Sequence, residues 1–118
     1  MEIKGKIKKG RGLGKTMGFP TINIPYDGEV FGVFAGEVFI DGKSYIAAIH
    51  VGKRPTVHDD RLICEAFLLN FTGEINDGTE VKVQLGEKIR DIKKFDSLED
   101  LKAQIAKDVE FIKLCYNL

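Results

Sequence analysis

The sequence predicts an all-β domain with one C-terminal helix, an antiparallel barrel rather than a parallel sheet. Three observations carry this: period-two alternation through the middle of the chain, Asp-Gly pairs between the alternating runs, and a change to three- and four-residue spacing near the C-terminus. At 118 residues and 43% hydrophobic, the chain has material for one core and no room for a second, so a single domain over 1–118 is expected.

The elements follow in order. MEIKGKIKK reads as a first strand with Ile3 and Ile7 on one face. The runs from Val33 to Ile40 and from Ser44 to Val51 flank Asp41 and Gly42, which supply the positive φ values of a tight hairpin. Leu62 to Phe71 is a further apolar run. Glu80 to Leu85 then alternates, with Val81, Val83 and Leu85 opposite Glu80, Lys82 and Gln84, and Asp77-Gly78 turns the chain between these two. Short strands joined by turns, with no helices between them, favour antiparallel closure. Ser97 is a good N-cap, with Asp100 three places on. Leu98, Leu101, Ile105, Val109 and Ile112 recur at helical spacing, predicting an amphipathic helix over about 97–114 that closes an edge or end of the barrel.

Charge and cysteine usage narrow the function classes. The chain is neutral, with 18 basic and 18 acidic residues, yet Lys4, Lys6, Lys8, Lys9, Arg11 and Lys15 face a single acid, Glu2, near the N-terminus. A basic field confined to one end of a neutral protein suits a localised anionic ligand rather than long nucleic acid. Cys64 and Cys115 form no pairing or metal-ligand pattern, no apolar run approaches the length of a membrane span, and no secretory leader is evident. A cytoplasmic protein with no membrane partner is expected.

The most informative stretch is Gly10 to Asn23, GRGLGKTMGFPTIN. Gly10, Gly12 and Gly14 let backbone N–H groups curl around phosphate oxygens, and Arg11 and Lys15 supply positive charge beside them. Thr21 and Asn23 offer hard oxygens suited to Mg²⁺, and Pro20, its φ fixed, sets the angle at which Thr21 enters such a site. The segment is neither a Walker motif nor a GxGxxG opening a helix, and a flexible glycine-rich turn is the competing reading.

Glu65 is the second informative residue. Strand alternation puts it on a face with Ile63, Phe67, Leu69 and Phe71, a carboxylate among hydrophobes. Desolvation there would favour a general base if a reacting hydroxyl can reach it. A structural ion pair with Arg54 or Arg90 is the alternative. His50, in a strand, and His58, in a polar loop, read as structural or solvated. Cys64, on the opposite face from Glu65, reads as a small buried hydrophobe.

These residues resemble the riboflavin kinases, the flavokinases that phosphorylate riboflavin to FMN. GRGLGKTMGFPTIN resembles that family's GRGRGRxLGFPTAN signature, and residues Gly32 to Thr56, GVFAGEVFIDGKSYIAAIHVGKRPT, resemble GxYAxxVxxxGxxYxxVxNIGxxPT. EAFLLNFTG, from Glu65 to Gly73, is similar to ExHLLDFxG, and IRDIKKFDSL, from Ile89 to Leu98, is similar to IRxExKFxSL. The resemblance spans nearly the whole chain, in order.

The resemblance implies a six-stranded antiparallel Greek-key barrel with a C-terminal helix. It also implies roles for particular residues. Gly10, Arg11, Gly12, Gly14, Lys15, Pro20 and Thr21 would lie at the nucleotide, Thr21 and Asn23 would hold Mg²⁺, Glu65 would be the base, and Arg90 would belong to a loop closing over the flavin. ATP is the implied co-substrate, although related chemistry can use CTP. Riboflavin and FMN would be the small-molecule partners of a monomer. The chain departs from the family patterns at Ile22, Asn70, Asn76 and Ile92, none of which removes a proposed catalytic group. With no adenylyltransferase segment ahead of the first strand, the expected product is FMN rather than FAD. Two other classes compete: a barrel that binds flavin or nucleotide without catalysis, and a nucleic-acid-binding barrel using the N-terminal lysines.

Overall fold

The computed structural model describes residues 1–8, 19–53 and 62–117. The glycine-rich residues Gly10, Arg11, Gly12, Gly14 and Lys15 lie outside the described residues, as do Arg54 and His58. The described residues form six strands, β1 (Glu2–Lys6), β2 (Thr21–Pro25), β3 (Gly32–Ile40), β4 (Lys43–Lys53), β5 (Leu62–Leu68) and β6 (Glu80–Arg90), followed by the helix α1 (Leu98–Cys115). All pairings are antiparallel, in the order β1-β6-β3-β4-β5-β2. Strands β3 to β6 lie in the spatial order of a Greek key, with β6 returning to the side of β3. The ends of the sheet meet where the Lys8 amide donates to the Asn23 carbonyl at 2.8 Å, so the barrel nearly closes.

Alternation sorts the side chains. Ile3, Ile22, Ile24, Phe34, Val38, Ile49, Val51, Cys64, Ala66, Leu68, Val83 and Leu85 fill the interior. In a barrel this narrow they pack against one another and leave no lumen for a ligand. Closure also requires a missing side chain: a Cβ at Gly5 on β1 would collide with Ile24 on β2. The Asp41-Gly42 turn has the two positive φ values its sequence predicts, 50° and 81°.

The strand at Thr21–Pro25 is not among the alternating runs of the sequence; it exists because β5 supplies its hydrogen bonds. The run at Leu62–Phe71 ends earlier than expected, at Leu68. Asn70 adopts φ 56°, which turns Phe71 back to stack edge-on against Tyr45 at 4.9 Å rather than share the face of Glu65. Strand β6 runs five residues beyond Leu85, reaching Arg90.

Helix α1 begins as its capping signal predicts, the Ser97 hydroxyl accepting the Asp100 amide at 3.1 Å with Glu99 and Asp100 in the first turn. It covers an outer face of the barrel rather than an edge or end. Leu101, Ile105, Val109 and Ile112 bury themselves on Ala35, Ala48, Phe67 and Leu69. Leu98 stays exposed. No helix among the described residues is long and apolar enough to cross a membrane.

A Cβ at Gly36 would strike the backbone carbonyl of Gln84 across the β3–β6 bulge, so Gly36→Ala should cost about 1–3 kcal/mol and lower the melting temperature by several degrees in a thermal denaturation scan. Burial, reinforced by the charge of Glu65, pushes the Cys64 thiol up to about 12, whereas Cys115 is exposed. A thiol reagent at about pH 8 should therefore modify Cys115 in the native protein and Cys64 only after denaturation. Above the ordinary thiol value of 9.0 the unfolded chain releases the Cys64 proton while the native state keeps it, so this group makes stability fall as pH rises toward 12, measurable by urea titration across that range.

Candidate active site

Strand register assembles the site on the outer face of the barrel. Asn23 on β2 pairs with Glu65 on β5, Glu65 with His50 on β4, His50 with Val33 on β3, and Val33 with Arg90 on β6. Residues opposite one another in antiparallel strands point to the same side, so this row crosses five strands on one face. Asn23, Glu65 and His50 are buried, at 6%, 3% and 6% exposure. Polar groups at such depth need partners or a ligand.

Each polar member is differently served. The His50 Nε2 lies 2.7 Å from the Lys53 carbonyl; since a carbonyl only accepts, that nitrogen carries the proton and donates. The Thr21 hydroxyl, two residues before Asn23 on the same strand face, donates to the Phe19 carbonyl at 3.2 Å, which leaves its oxygen lone pairs available. Asn23 Oδ1 is a buried oxygen with no hydrogen-bond partner among the described residues. An orphaned amide oxygen beside a hydroxyl and opposite a carboxylate is a fitting donor set for a hard cation. Among the described residues no cluster of three or more His, Cys, Asp or Glu could hold a metal. Mg²⁺ bound here would draw its remaining ligands from water and phosphate, its usual habit.

Toward β6 the row opens on a cleft lined by Val33, Ala48, His50, Glu65, Phe67 and Arg90 on the barrel side. Lys93, Phe95, Leu101, Ile105 and Asp108 complete it from the following loop and α1. Its free volume is about 20 Å³, the room of one water molecule. At the loop's start Lys88 pairs with Asp91 at 2.6 Å and holds that exposed carboxyl below its ordinary range.

Arg90 is anchored on the helix. Its Nε donates to both carboxylate oxygens of Asp108, at 3.1 and 3.2 Å, and Nη2 donates to Oδ2 at 2.9 Å. Asp108 is 3% exposed, in the middle of an otherwise apolar face. The ion pair considered for Arg90 and Glu65 thus has a different acid as its observed partner.

Of the residues singled out from the sequence, Pro20, Thr21, Asn23 and Glu65 lie together, with Arg90 at the far end of the same row. The sequence reading missed Asp108, His50, Phe67 and Phe95 as site residues. Asp108 carried a faint signal as an acid at a core-facing helix position, and Phe67 shared the predicted face of Glu65; His50 comes to Glu65 only by cross-strand register, and Phe95 only by the folding of the loop before α1.

Comparison with known proteins identifies the family. Residues 1–116 match the Flavokinase family model, described as riboflavin kinase. The chain is 40% identical over 119 residues to a bifunctional riboflavin kinase/FMN adenylyltransferase from Haemophilus influenzae, covering 98% of this chain and 38% of that protein. It is 40% identical over 110 residues to the protein of the same description from Escherichia coli K12, covering 90% of this chain and 35% of the other. A Streptococcus pneumoniae crystal structure described as a macrolide-efflux protein superposes with a TM-score of 0.79 at 31% identity, over 95% of this chain and 38% of that one. The chain thus spans little more than a third of the length of these relatives. With the whole described barrel and its helix inside the matched region, this chain belongs to the flavokinase family of riboflavin kinases.

Proposed function

We propose that this chain transfers the γ-phosphate of ATP to the terminal ribityl hydroxyl of riboflavin, giving FMN and ADP, as a cytoplasmic monomer. The observation that carries the reading is the direct pairing of Asn23 with Glu65, which sets a candidate base beside the orphaned oxygen and hydroxyl suited to a cation.

Phosphoryl transfer asks a protein chiefly for alignment, charge neutralisation and a proton acceptor. Thr21 and Asn23 would hold Mg²⁺, which supplies neutralisation of the phosphate charge. Gly10, Arg11, Gly12, Gly14 and Lys15 would wrap the phosphates, and Pro20 fixes the chain's entry to Thr21. Glu65 accepts the hydroxyl proton as that oxygen bonds to the γ-phosphorus and the bond to the β-phosphate oxygen breaks. Burial of Glu65 keeps competing water away from the base. The apolar walls of the cleft, Val33, Ala48, Phe67 and Phe95, suit the isoalloxazine ring.

Incubating the protein with riboflavin, magnesium and each nucleoside triphosphate in turn, and separating FMN from riboflavin, tests the reading: FMN should form, fastest with ATP. Glu65→Gln should lower kcat by at least about a hundredfold, the usual worth of a general base, with riboflavin still bound. Normal turnover in that variant would remove Glu65 from the mechanism; bound flavin with no turnover in the unmodified protein would favour the non-catalytic barrel. Thr21→Ala should raise the magnesium concentration needed for half-maximal rate. Asn23→Leu, which removes the unpartnered oxygen at similar volume, should leave the ligand-free melting temperature unchanged or higher while abolishing magnesium-dependent turnover.

A further inference from the structure

Asp108 is a buried carboxylate on a helix face that four aliphatic side chains, Leu101, Ile105, Val109 and Ile112, already dock to the barrel. Buried ion pairs add little to stability compared with apolar residues of similar shape, so docking α1 does not account for a charge at this place. Its partners show a built arrangement. Gln104, one turn earlier, donates from Nε2 to Asp108 Oδ1 at 3.1 Å and fixes the carboxylate plane. Asp108 takes Nε and Nη2 of Arg90, the Asp91 carbonyl accepts from Nη1 at 3.2 Å, and the guanidinium lies 5.9 Å from the centre of the Phe95 ring. A guanidinium has five N–H donors. Three are engaged, and two remain on a group lining the cleft.

The row of paired residues sets the scale. From Glu65 to Arg90 there are three inter-strand steps, through His50 and Val33, or about 14 Å along the sheet. That separation is of the order of a flavin's length with its ribityl chain extended. A riboflavin with its hydroxyl at Glu65 would bring the far end of its ring, with its carbonyl and ring-nitrogen acceptors, toward Arg90.

Resting on the riboflavin kinase reading, we propose that Asp108 is a positioning residue for flavin recognition: oriented by Gln104, it holds Arg90 so that the two remaining N–H donors face the acceptor edge of the riboflavin ring. Helix α1 is then part of the substrate site. Its influence reaches flavin binding and leaves the nucleotide end, on β2, untouched.

The test combines steady-state kinetics with riboflavin titration followed by flavin fluorescence quenching. Asp108→Asn, of the same shape without the charge, should raise the riboflavin KM and Kd about tenfold, the worth of one charged hydrogen bond, with kcat reduced less than about threefold and the ATP KM unchanged. Arg90→Ala should do the same, and adding Asp108→Asn to it should weaken riboflavin no further, since both act through one guanidinium. Gln104→Met, which removes only the group orienting Asp108, should give a smaller rise in the same constants and serves as the deciding variant where Asp108→Asn does not fold. Unchanged riboflavin constants in the folded variants, or effects that multiply in the double variant, would overturn the proposal while leaving the kinase reading standing. An unmodified protein that neither binds riboflavin nor forms FMN would overturn both.

Discussion

A nearly closed barrel of six strands, packed with aliphatic side chains, has no spare interior. Once the aliphatic side chains of β1 to β6 point inward they fill the space between them, and every polar side chain in the strands must lie on the outside. The organisation of this protein follows from that constraint. Buried polar side chains cannot sit in the lumen, so they sit on the outer face, where Glu65 and His50 lie under a helix and its preceding loop.

The cover has two components that do different work. The aliphatic stripe of α1 supplies attachment, each buried side chain contributing about 1.5–3 kcal/mol of transfer free energy. The Arg90–Asp108 pair adds direction rather than strength. Its bidentate geometry fixes where the guanidinium points at the seam where strand β6 gives way to the loop. At the opposite end of the row, Asn23 Oδ1 has no hydrogen-bond partner among the described residues. A buried amide oxygen left in that condition costs stability, and proteins retain such groups where a ligand completes them. Among the described residues the candidate site therefore runs from the unpartnered Asn23 oxygen on β2 to the Arg90–Asp108 pair between β6 and α1, with apolar walls between.

The departures from the family's sequence pattern fall outside this line. Ile22 turns inward and is fully buried, so its replacement of alanine is absorbed by the barrel core rather than by the oxygens on either side of it. Asn70 takes the left-handed conformation that ends β5, a role its short polar side chain tolerates. Ile92 packs its Cδ1 against Gly52, pinning the loop after β6 to the end of β4.

Much of this was legible in the letters alone. Alternation establishes the inward faces of β1 and β6, the Asp41-Gly42 turn joins β3 to β4, and Ser97 with its following apolar spacing establishes where α1 starts and which side it buries, because these are local properties of a few neighbouring residues. The chemistry-bearing types at Thr21, Asn23 and Glu65 were legible too, together with the burial of Cys64 opposite the acid. Whether Thr21–Pro25 is loop or strand could not be read locally, since only the edge of β5 decides it. Likewise the junction of Asn23 with Glu65, the choice of Asp108 as partner of Arg90, and the seating of α1 on a face rather than an end depend on register and closure. Those are relations between residues far apart in the chain, and they come into existence only when the strands pair.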